Sequence, residues 1–575
     1  MAYNNYKNIQ MVVEFLKQHN IRQLVISPGG TNVPLVKLVQ NDPFFKCFSV
    51  VDERSAAYFA IGIYLQTGEK VALICTSAQA TRNYVPGLTE AYYKNVPLLA
   101  ITMEKHPRFK YQGYMQAPDQ TSLPNDSIKK SFELPYIRDI NDVYHSRRLI
   151  NDAMLELEND GKGPVQLCIP WLDFEIEDVD PGVKMIKRMN VSEIANFDLK
   201  NKKIMIVIGE HIPFSSEEKE AINYFCENTN SVIYTNHLSN FDNKYSMNLN
   251  FVFSIMTEKT FNEIKPDVLI SIGGQTGDYP FYLMLSKTGF KSIEHWCISA
   301  DGKIMDTYDK LTCVFKGEEK DFFAAVDKCP NNHEYYKLWE TKNKAIKRDL
   351  SVPFSNVSIA QYLHDKIPND SIIQFSILNS LRTWNLFDLN ETIECYSNVG
   401  AFGIDGGMST LIGQSVVTDK LCFLVIGDLA FFYDLNSLGI RHIKNNLRII
   451  LINNNGGIEF KLHGEDKRIV DNYIAAADHF QNAKGWSETC GFKYVSINSM
   501  EEFKERSKEF LTESNESIVL EIFVSDIDES NAYNTLLDAN RLFSTKERLK
   551  RTIKKCVGKE KIKKIKNIIR FKNND

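Results

Sequence analysis

The sequence predicts an α/β protein made of three units, each with a parallel sheet. Three observations carry that reading. Short apolar runs of strand length alternate with stretches of helical periodicity along nearly the whole chain. The segment 421–457, LCFLVIGDLAFFYDLNSLGIRHIKNNLRIILINNNGG, reads as one strand–helix–strand crossover of the length that a parallel pair requires. And 575 residues are enough for about three such units.

The first unit spans 1–180. Residues 8–18 form an amphipathic helix with Met11, Val12, Phe15 and Leu16 as its apolar positions. QLVIS (23–27) is a strand ending in the turn Pro28-Gly29-Gly30, and CFSVVDE is a second strand with Glu53 at its end. RSAAYFAIGIYLQTG is a helix closed by Gly68, VALICTS a third strand ending at Thr76-Ser77, and PLLAIT a fourth ending at Thr102. The second unit, 190–335, has KIMIVIGE, SVIYTN and DVLISIGG as strands. Its Gly273-Gly274 lacks the full GxGxxG pattern and an acidic partner, so it reads as a structural turn. The third unit, 350–540, contains SIIQFS, TIECYS, LCFLVI, RIILI and SIVLEIFV, with a helix expected over 434–444.

Composition narrows the classes. An apolar content of 43% with 25% charged residues is that of a globular protein, and a net charge of −5 implies no general affinity for nucleic acid. Eleven cysteines without a CxxC pair argue against zinc and against a disulfide framework, and fit a reducing cytoplasm. The polar first ten residues are not a signal peptide, and no apolar run is long enough to span a bilayer. The tail, 546–575, carries thirteen Lys or Arg against three acidic residues. Two readings stand for it: a basic amphipathic segment lying on the inner, anionic membrane face, or a terminal helix docked on its own protein.

The chemistry lies at the strand ends, where open α/β sheets bind ligands. Gly427-Asp428 alone is what any strand-to-helix turn offers. With Asn453-Asn454-Asn455-Gly456-Gly457 one crossover later, the pair points to a magnesium-held diphosphate. Mg²⁺ takes octahedral oxygen ligands, only one or two of them side chains, with phosphates among the rest. Asp428 would give a carboxylate oxygen, Asn454 an amide oxygen and Gly456 its carbonyl. A carboxyl group buried in a cleft, as Glu53 would be, has the raised pKa that proton transfer at neutral pH requires.

The pattern resembles the GDG…NN signature of thiamine-diphosphate enzymes, with Leu429 where that signature usually has Gly. VVDERSAAYFAIG is similar to the segment that carries the essential Glu in those enzymes, whose carboxyl bonds N1′ of the aminopyrimidine and promotes loss of the thiazolium C2 proton. SPGGTNVPL, DERSAAYFAIG, CTSAQATRNYVPGLTEAYY, QAPDQ, SNVGAFGIDGGMST, GDLAFFYDLNSL and INNNGG have counterparts in the same order in the MenD family of 2-succinyl-5-enolpyruvyl-6-hydroxy-3-cyclohexene-1-carboxylate synthases. The resemblance reaches to about residue 535. It implies pyrimidine-binding, central and diphosphate-binding domains, a homodimer or homotetramer with active sites between subunits, and thiamine diphosphate with Mg²⁺ as cofactors. It implies Glu53 and Gln116 as catalytic or cofactor-side residues, Thr76, Ile404, Gly427, Asp428, Leu429, Asn454 and Gly456 around the cofactor, and Asp428, Asn454 and Gly456 on the metal.

The substrate positions depart from that family, which binds the dianions 2-oxoglutarate and isochorismate with basic residues. The family's Arg positions fall on Thr31, Trp384 and Val399, its middle-domain Lys on Asp278, and a further Arg on Lys105, followed by His106. Each lost charge-assisted contact is worth about 1.5–3 kcal/mol. Glu459 stands where the family has an apolar residue, and could serve as an acid or base. Thr31, Asn32, Lys105, His106, Ser380, Trp384, Asn398 and Glu459 are therefore the expected substrate contacts. They suit a carboligase or lyase acting on a 2-oxo acid with a less anionic partner, such as an activated keto-sugar in glycan biosynthesis. The alternatives are the family's own synthase activity, with Arg82, Lys105 and Arg382 rebuilding the clamps, simple 2-oxo acid decarboxylation, and a cofactor-binding subunit without turnover. An intact Glu53 argues against the last.

Overall fold

A computed structural model describes residues 6–171, 186–290, 292–329, 331–462, 470, 479 and 481–541; the basic tail at 546–575 lies outside them. Three parallel sheets follow one another along the chain. The first has six strands in the order Lys46–Ser49, Gln23–Ile26, Val71–Cys75, Leu98–Glu104, Val165–Pro170, Lys130–Glu133. The second has seven, with Ile204–Ile208 and Val268–Ile272 at its centre. The third has six, in the order Glu394–Ser397, Ile372–Phe375, Cys422–Gly427, Leu447–Asn453, Ile518–Phe523, Lys493–Ile497. Their central strands are apolar runs because helices cover both faces: every residue of Val71–Cys75, Leu98–Glu104 and Leu447–Asn453 is buried. Among the described residues no helix is long and apolar enough to cross a membrane.

Helix Tyr6–Gln18 buries Ile9, Val12, Val13 and Leu16, the i, i+3, i+4, i+7 stripe of an amphipathic helix. Two elements differ from the sequence reading. Glu53 does not end a strand: the strand stops at Ser49, Asp52 caps the next helix by accepting from the Ser55 amide at 3.2 Å, and Glu53 is that helix's first residue. The helix ends as expected at Gly68, in the left-handed conformation. The crossover helix starts at once after its strand, as Asp428–Tyr433, followed by a tighter turn Leu435–Gly439, rather than over 434–444. Asp434 interrupts it because its carboxylate accepts from both the amide and the hydroxyl of Ser409 at 2.7 Å. Gly273-Gly274 is a packing turn. The Gly274 amide bonds the Glu210 carbonyl at 2.8 Å, and a Cβ on Gly209 would stand 1.9 Å from the Gly274 oxygen.

The units are joined by polar staples. Asn240 exchanges two hydrogen bonds with the Cys395 backbone at 2.7 and 2.9 Å, and Asn248 donates to the Asn385 carbonyl at 2.9 Å. Thr307 donates to the Gln112 carbonyl at 3.0 Å. The first and third units meet where Asn83 donates to the Tyr433 hydroxyl at 2.8 Å and Tyr433 donates to Glu53 at 2.6 Å. On the third sheet, Glu521 is fully buried and accepts from Asn453, the Ala483 amide and Tyr494. It thereby fixes the strand end that carries Asn454.

Trp384 belongs to the core of the third unit and not to a ligand surface. It closes the helix Asn379–Trp384, is fully buried, packs against Phe375 at 5.8 Å and donates its indole N–H to Asn356 at 3.2 Å. Trp384→Ala should therefore lower the stability of this unit by about 3–5 kcal/mol, read from the midpoint shift in urea unfolding followed by circular dichroism. A shift worth under about 1 kcal/mol would show that the ring is not packed as described.

Candidate active site

The carboxyl ends of the first and third sheets face one another across a cavity of about 200 Å³. The first unit contributes Gly29, Glu53, Thr76, Gln79, Asn83 and Gln116; the third contributes Ser376, Asn379, Ser380, Ile404, Asp428, Asn454, Gly456 and Glu459. The glycine turn after the first strand is needed for contact: a Cβ on Gly29 would lie 2.4 Å from that of Thr76. Backbone strain gathers here too. Among the described residues, the non-glycine positions with positive φ that are not Asn, Asp or His are Ala78, Tyr111, Gln116, Leu378 and Phe402. All but Tyr111 line or adjoin the cavity, as held strain at working sites does.

Glu53 is 7% exposed. Burial pushes its carboxyl up to about 7, against the pull of the Tyr433 bond and with a smaller upward push from Asp405 and Asp52. Burial, with the Glu53 charge beside it, raises the Tyr433 hydroxyl in turn, so the phenol stays protonated and donates. Across the cavity, Asp428 is fixed by backbone amides of its own turn and of the turn after the next strand. One oxygen accepts from the Leu429 amide at 2.7 Å, the other from the amides of Asn454 and Gly456, both at 3.1 Å. His479 Nε2 lies 3.2 Å from that second oxygen. The Asn454 side-chain oxygen is buried with no hydrogen-bond partner among the described residues. An orphaned amide oxygen beside a buried carboxylate is costly unless a cation or donor completes it, and a set of hard oxygens suits Mg²⁺.

The expected cofactor residues Glu53, Gln116, Thr76, Ile404, Gly427, Asp428, Leu429, Asn454 and Gly456 all lie on this wall. The expected substrate residues separate. Ser380 and Glu459 are on the wall, and six others are not. Thr31 is buried and ties two loops together, its hydroxyl 2.6 Å from that of Thr76 and accepting from the Ser77 amide at 3.2 Å. Asn32 is spent on the Ser27 carbonyl at 2.8 Å, and Asn398 on Gln374 and Thr410. Lys105 and His106 line a separate surface pocket with Tyr136 and Arg138. Trp384 is in the core, as described, because a helix turns it away from Arg382 two residues earlier. Val399 is fully buried and packs beside Gly277, and Asp278 is a buried helix cap that holds Tyr234 and Asn236. Arg82 donates to the Asp119 carbonyl at 2.6 Å, outside the wall. Glu459 is not a free acid or base: both its oxygens accept from Arg382, at 2.8 and 2.9 Å.

Sequence reasoning missed Tyr433, Gln79 and Asn83. The last two stand four residues apart on a helix that opens at the end of a strand, a spacing that puts both on one face. Tyr433 carried no such signal, since its partner lies 380 residues away. The resemblance implies that the two halves of the site come from different subunits. Within one chain, Asn83 donates to Tyr433 and Tyr433 to Glu53, and the cavity described is lined by residues of that chain.

A half-site built around a buried glutamate, facing a half-site built around Asp428 and Asn454, defines the class as a thiamine-diphosphate-dependent enzyme. A family model described as thiamine pyrophosphate enzyme, N-terminal TPP binding domain, matches residues 7–123. The 2-succinyl-5-enolpyruvyl-6-hydroxy-3-cyclohexene-1-carboxylate synthase of Bacteroides thetaiotaomicron is 33% identical over 91% of this chain and 96% of its own length. The synthase of the same name from Flavobacterium psychrophilum is 28% identical over 93% of this chain and 100% of its own. A solved structure, described as a putative thiamin diphosphate-dependent enzyme from Mycobacterium smegmatis, aligns over 91% of this chain and 100% of its own at 16% identity, with a TM-score of 0.43. The chain belongs to the MenD-like family of thiamine-diphosphate-dependent enzymes.

The Glu53 environment has a consequence for stability. A carboxyl at about 7 in the folded protein and near 4.3 unfolded binds more protons when folded. Its contribution is fully present below about pH 4.3 and is lost as pH rises through 7, a fall of the order of 3 kcal/mol. Buried Glu529, also pushed up to about 7, acts in the same direction. Glu53→Gln should remove part of the decline in unfolding midpoint between pH 5 and pH 8. An unchanged pH slope would mean that Glu53 is not held as described.

Proposed function

We propose that this enzyme uses thiamine diphosphate held by Mg²⁺ to decarboxylate a 2-oxo acid and join the remaining acyl unit to an acceptor carbonyl. The observation that carries the reading is the single cavity that holds Glu53 on one wall and the Asp428–Asn454 pair on the other. Asp428, Asn454 and the carbonyl of Gly456 would hold the metal; Gly427 and Leu429 would border the diphosphate, with Ile404 and Thr76 beside the rings. When bound, the cofactor supplies a carbon nucleophile and an electron sink for carbonyl chemistry. The chain's own part is to hold and move a proton at the Glu53 carboxyl, whose value near neutrality suits that exchange. Tyr433 fixes the orientation of that carboxyl, and Gln116 adds a polar contact on the same wall.

Beyond these, the wall carries the hydrogen-bonding side chains of Ser376, Asn379, Ser380, Gln79 and Asn83, the carboxylates Asp405 and Glu459, and apolar groups such as Ile377, Phe402 and Ile458. It supports a polyhydroxylated acceptor such as a keto-sugar. A second reading is favoured by the relatives' printed name, that of a 2-succinyl-5-enolpyruvyl-6-hydroxy-3-cyclohexene-1-carboxylate synthase. Against it stand the buried, non-wall positions of Thr31, Trp384 and Val399. The family resemblance supports a homodimer or homotetramer as the functional unit.

Two measurements test the proposal. Asp428→Ala should abolish calorimetric binding of thiamine diphosphate in Mg²⁺, and near-normal affinity would remove the metal assignment. Glu53→Gln should still bind the cofactor, while exchange of its C2 hydrogen slows by about 10²–10⁴-fold. Product formation from 2-oxoglutarate and isochorismate then separates the two readings: a kcat/KM of about 10⁴ M⁻¹s⁻¹ or more would restore the synthase.

A further inference from the structure

We propose that Glu459 is a built-in counter-carboxylate that caps Arg382, and that this closed pair sets the cavity's specificity against substrates with a second carboxylate. The inference rests on the assignment of the cavity as the substrate site. Arg382 lies in the helix Asn379–Trp384, of which Ser380 reaches the cavity wall and Arg382 does not. Glu459 does reach the wall, and its carboxylate is bonded to the guanidinium, which does not. The contact is two-pronged: Nη1 donates to one carboxylate oxygen at 2.8 Å and Nη2 to the other at 2.9 Å. This is the geometry in which an arginine recognises the carboxylate of a ligand. Behind the pair, Tyr279 faces the guanidinium at 5.9 Å.

The consequence follows from the charges on the wall. Its described ionisable side chains are Glu53, Asp405, Asp428 and Glu459, with no lysine or arginine among them. A remote carboxylate on the substrate would enter a cavity lined with carboxylates. It would need a cation to offset its lost hydration. Among the described residues, Arg382 is a cation joined to the wall through Glu459, and its fork is taken. The pocket thus accepts a 2-oxo acid whose far end is uncharged, where an open arginine would accept a dicarboxylate. One side chain at position 459 decides between the two, which makes Glu459 a specificity-determining residue.

The test uses glutarate, a five-carbon dicarboxylate without a reactive carbonyl, titrated calorimetrically into the full-length protein with and without thiamine diphosphate and Mg²⁺. Glu459→Gln and Glu459→Ala should each bind glutarate at least about tenfold more tightly than the parent protein, since either frees part or all of a bidentate anion fork. Adding Arg382→Met to Glu459→Ala should abolish the gain. Variants within about twofold of the parent, or a gain that survives Arg382→Met, would overturn the proposal. So would saturable glutarate binding by the unaltered protein at about 1 mM or tighter, a measurement that needs no variant to fold. Failure of the protein to take up thiamine diphosphate would instead count against the functional reading, because the glutarate arms are also run without it.

Discussion

The hydrogen bond from Tyr433 to Glu53 is the constraint on which the site depends. Each sheet alone ends in half a cavity. The bond joins the halves, and it does so at Glu53, the carboxyl proposed to exchange the proton. A buried carboxyl is costly unless it is hydrogen-bonded, so the docked state supplies a donor that the separated units would have to find in water. Asn83 donates to the Tyr433 oxygen and thereby directs the phenol proton toward Glu53. Docking of the two units and the ionisation of Glu53 are therefore coupled. Opening the interface would hydrate the carboxyl and bring it back toward its ordinary range, and closing it restores a group poised near neutrality.

Most of the fold was legible because the strands are buried on both faces. LCFLVI, RIILI and VALIC announce themselves as continuous apolar runs, and the turns after them carry the glycines and the oxygen groups proposed as metal ligands. The cofactor side of the site was legible for the same reason: Asp428, Asn454 and Gly456 are local to strand ends, where position along the chain predicts position in space. Glu53 was found although its element was misread, since a helix start and a strand end deliver a side chain to the same place. The substrate side was not legible. Whether residue 384 faces a ligand or the core depends on whether 379–384 is strand or helix, and alternation with period two or 3.6 cannot be told apart over six residues. The helix puts Arg382 beside Glu459 and sends Trp384 inward.

That outcome changes what the altered positions mean. Thr31, Trp384 and Val399 stand where the resemblance leads one to expect arginines, yet none of them reaches the cavity. Each has been absorbed into packing: Thr31 between two loops, Trp384 against Phe375, Val399 beside Gly277. The chain has not merely lost charges that could be put back. A guanidinium at residue 384 would be buried among apolar side chains, at a cost of several kcal/mol. Among the described residues, Arg382 stands close to the wall and is paired with the Glu459 carboxylate.

The backbone around the cavity explains how such a site keeps its shape. Ala78, Leu378 and Phe402 sit at φ of 72°, 65° and 60°, in a region that costs roughly 1–3 kcal/mol for residues of this kind. Each is over-determined by its neighbours. The Ala78 amide donates to Gln120 at 2.6 Å, the Leu378 carbonyl accepts from the Arg382 amide at 2.8 Å, and Phe402 is buried against Tyr279 at 6.0 Å. These residues come from separate loops on both sheets, yet their strain converges on one space. Relaxing any one of them would move a wall residue: Gln79 after Ala78, Asn379 after Leu378, Gly403 after Phe402. The cavity is thus held by positions that gain nothing locally from their conformation. The two carboxylates that face each other across it stay in place because rigid loops, and not adaptable ones, carry them.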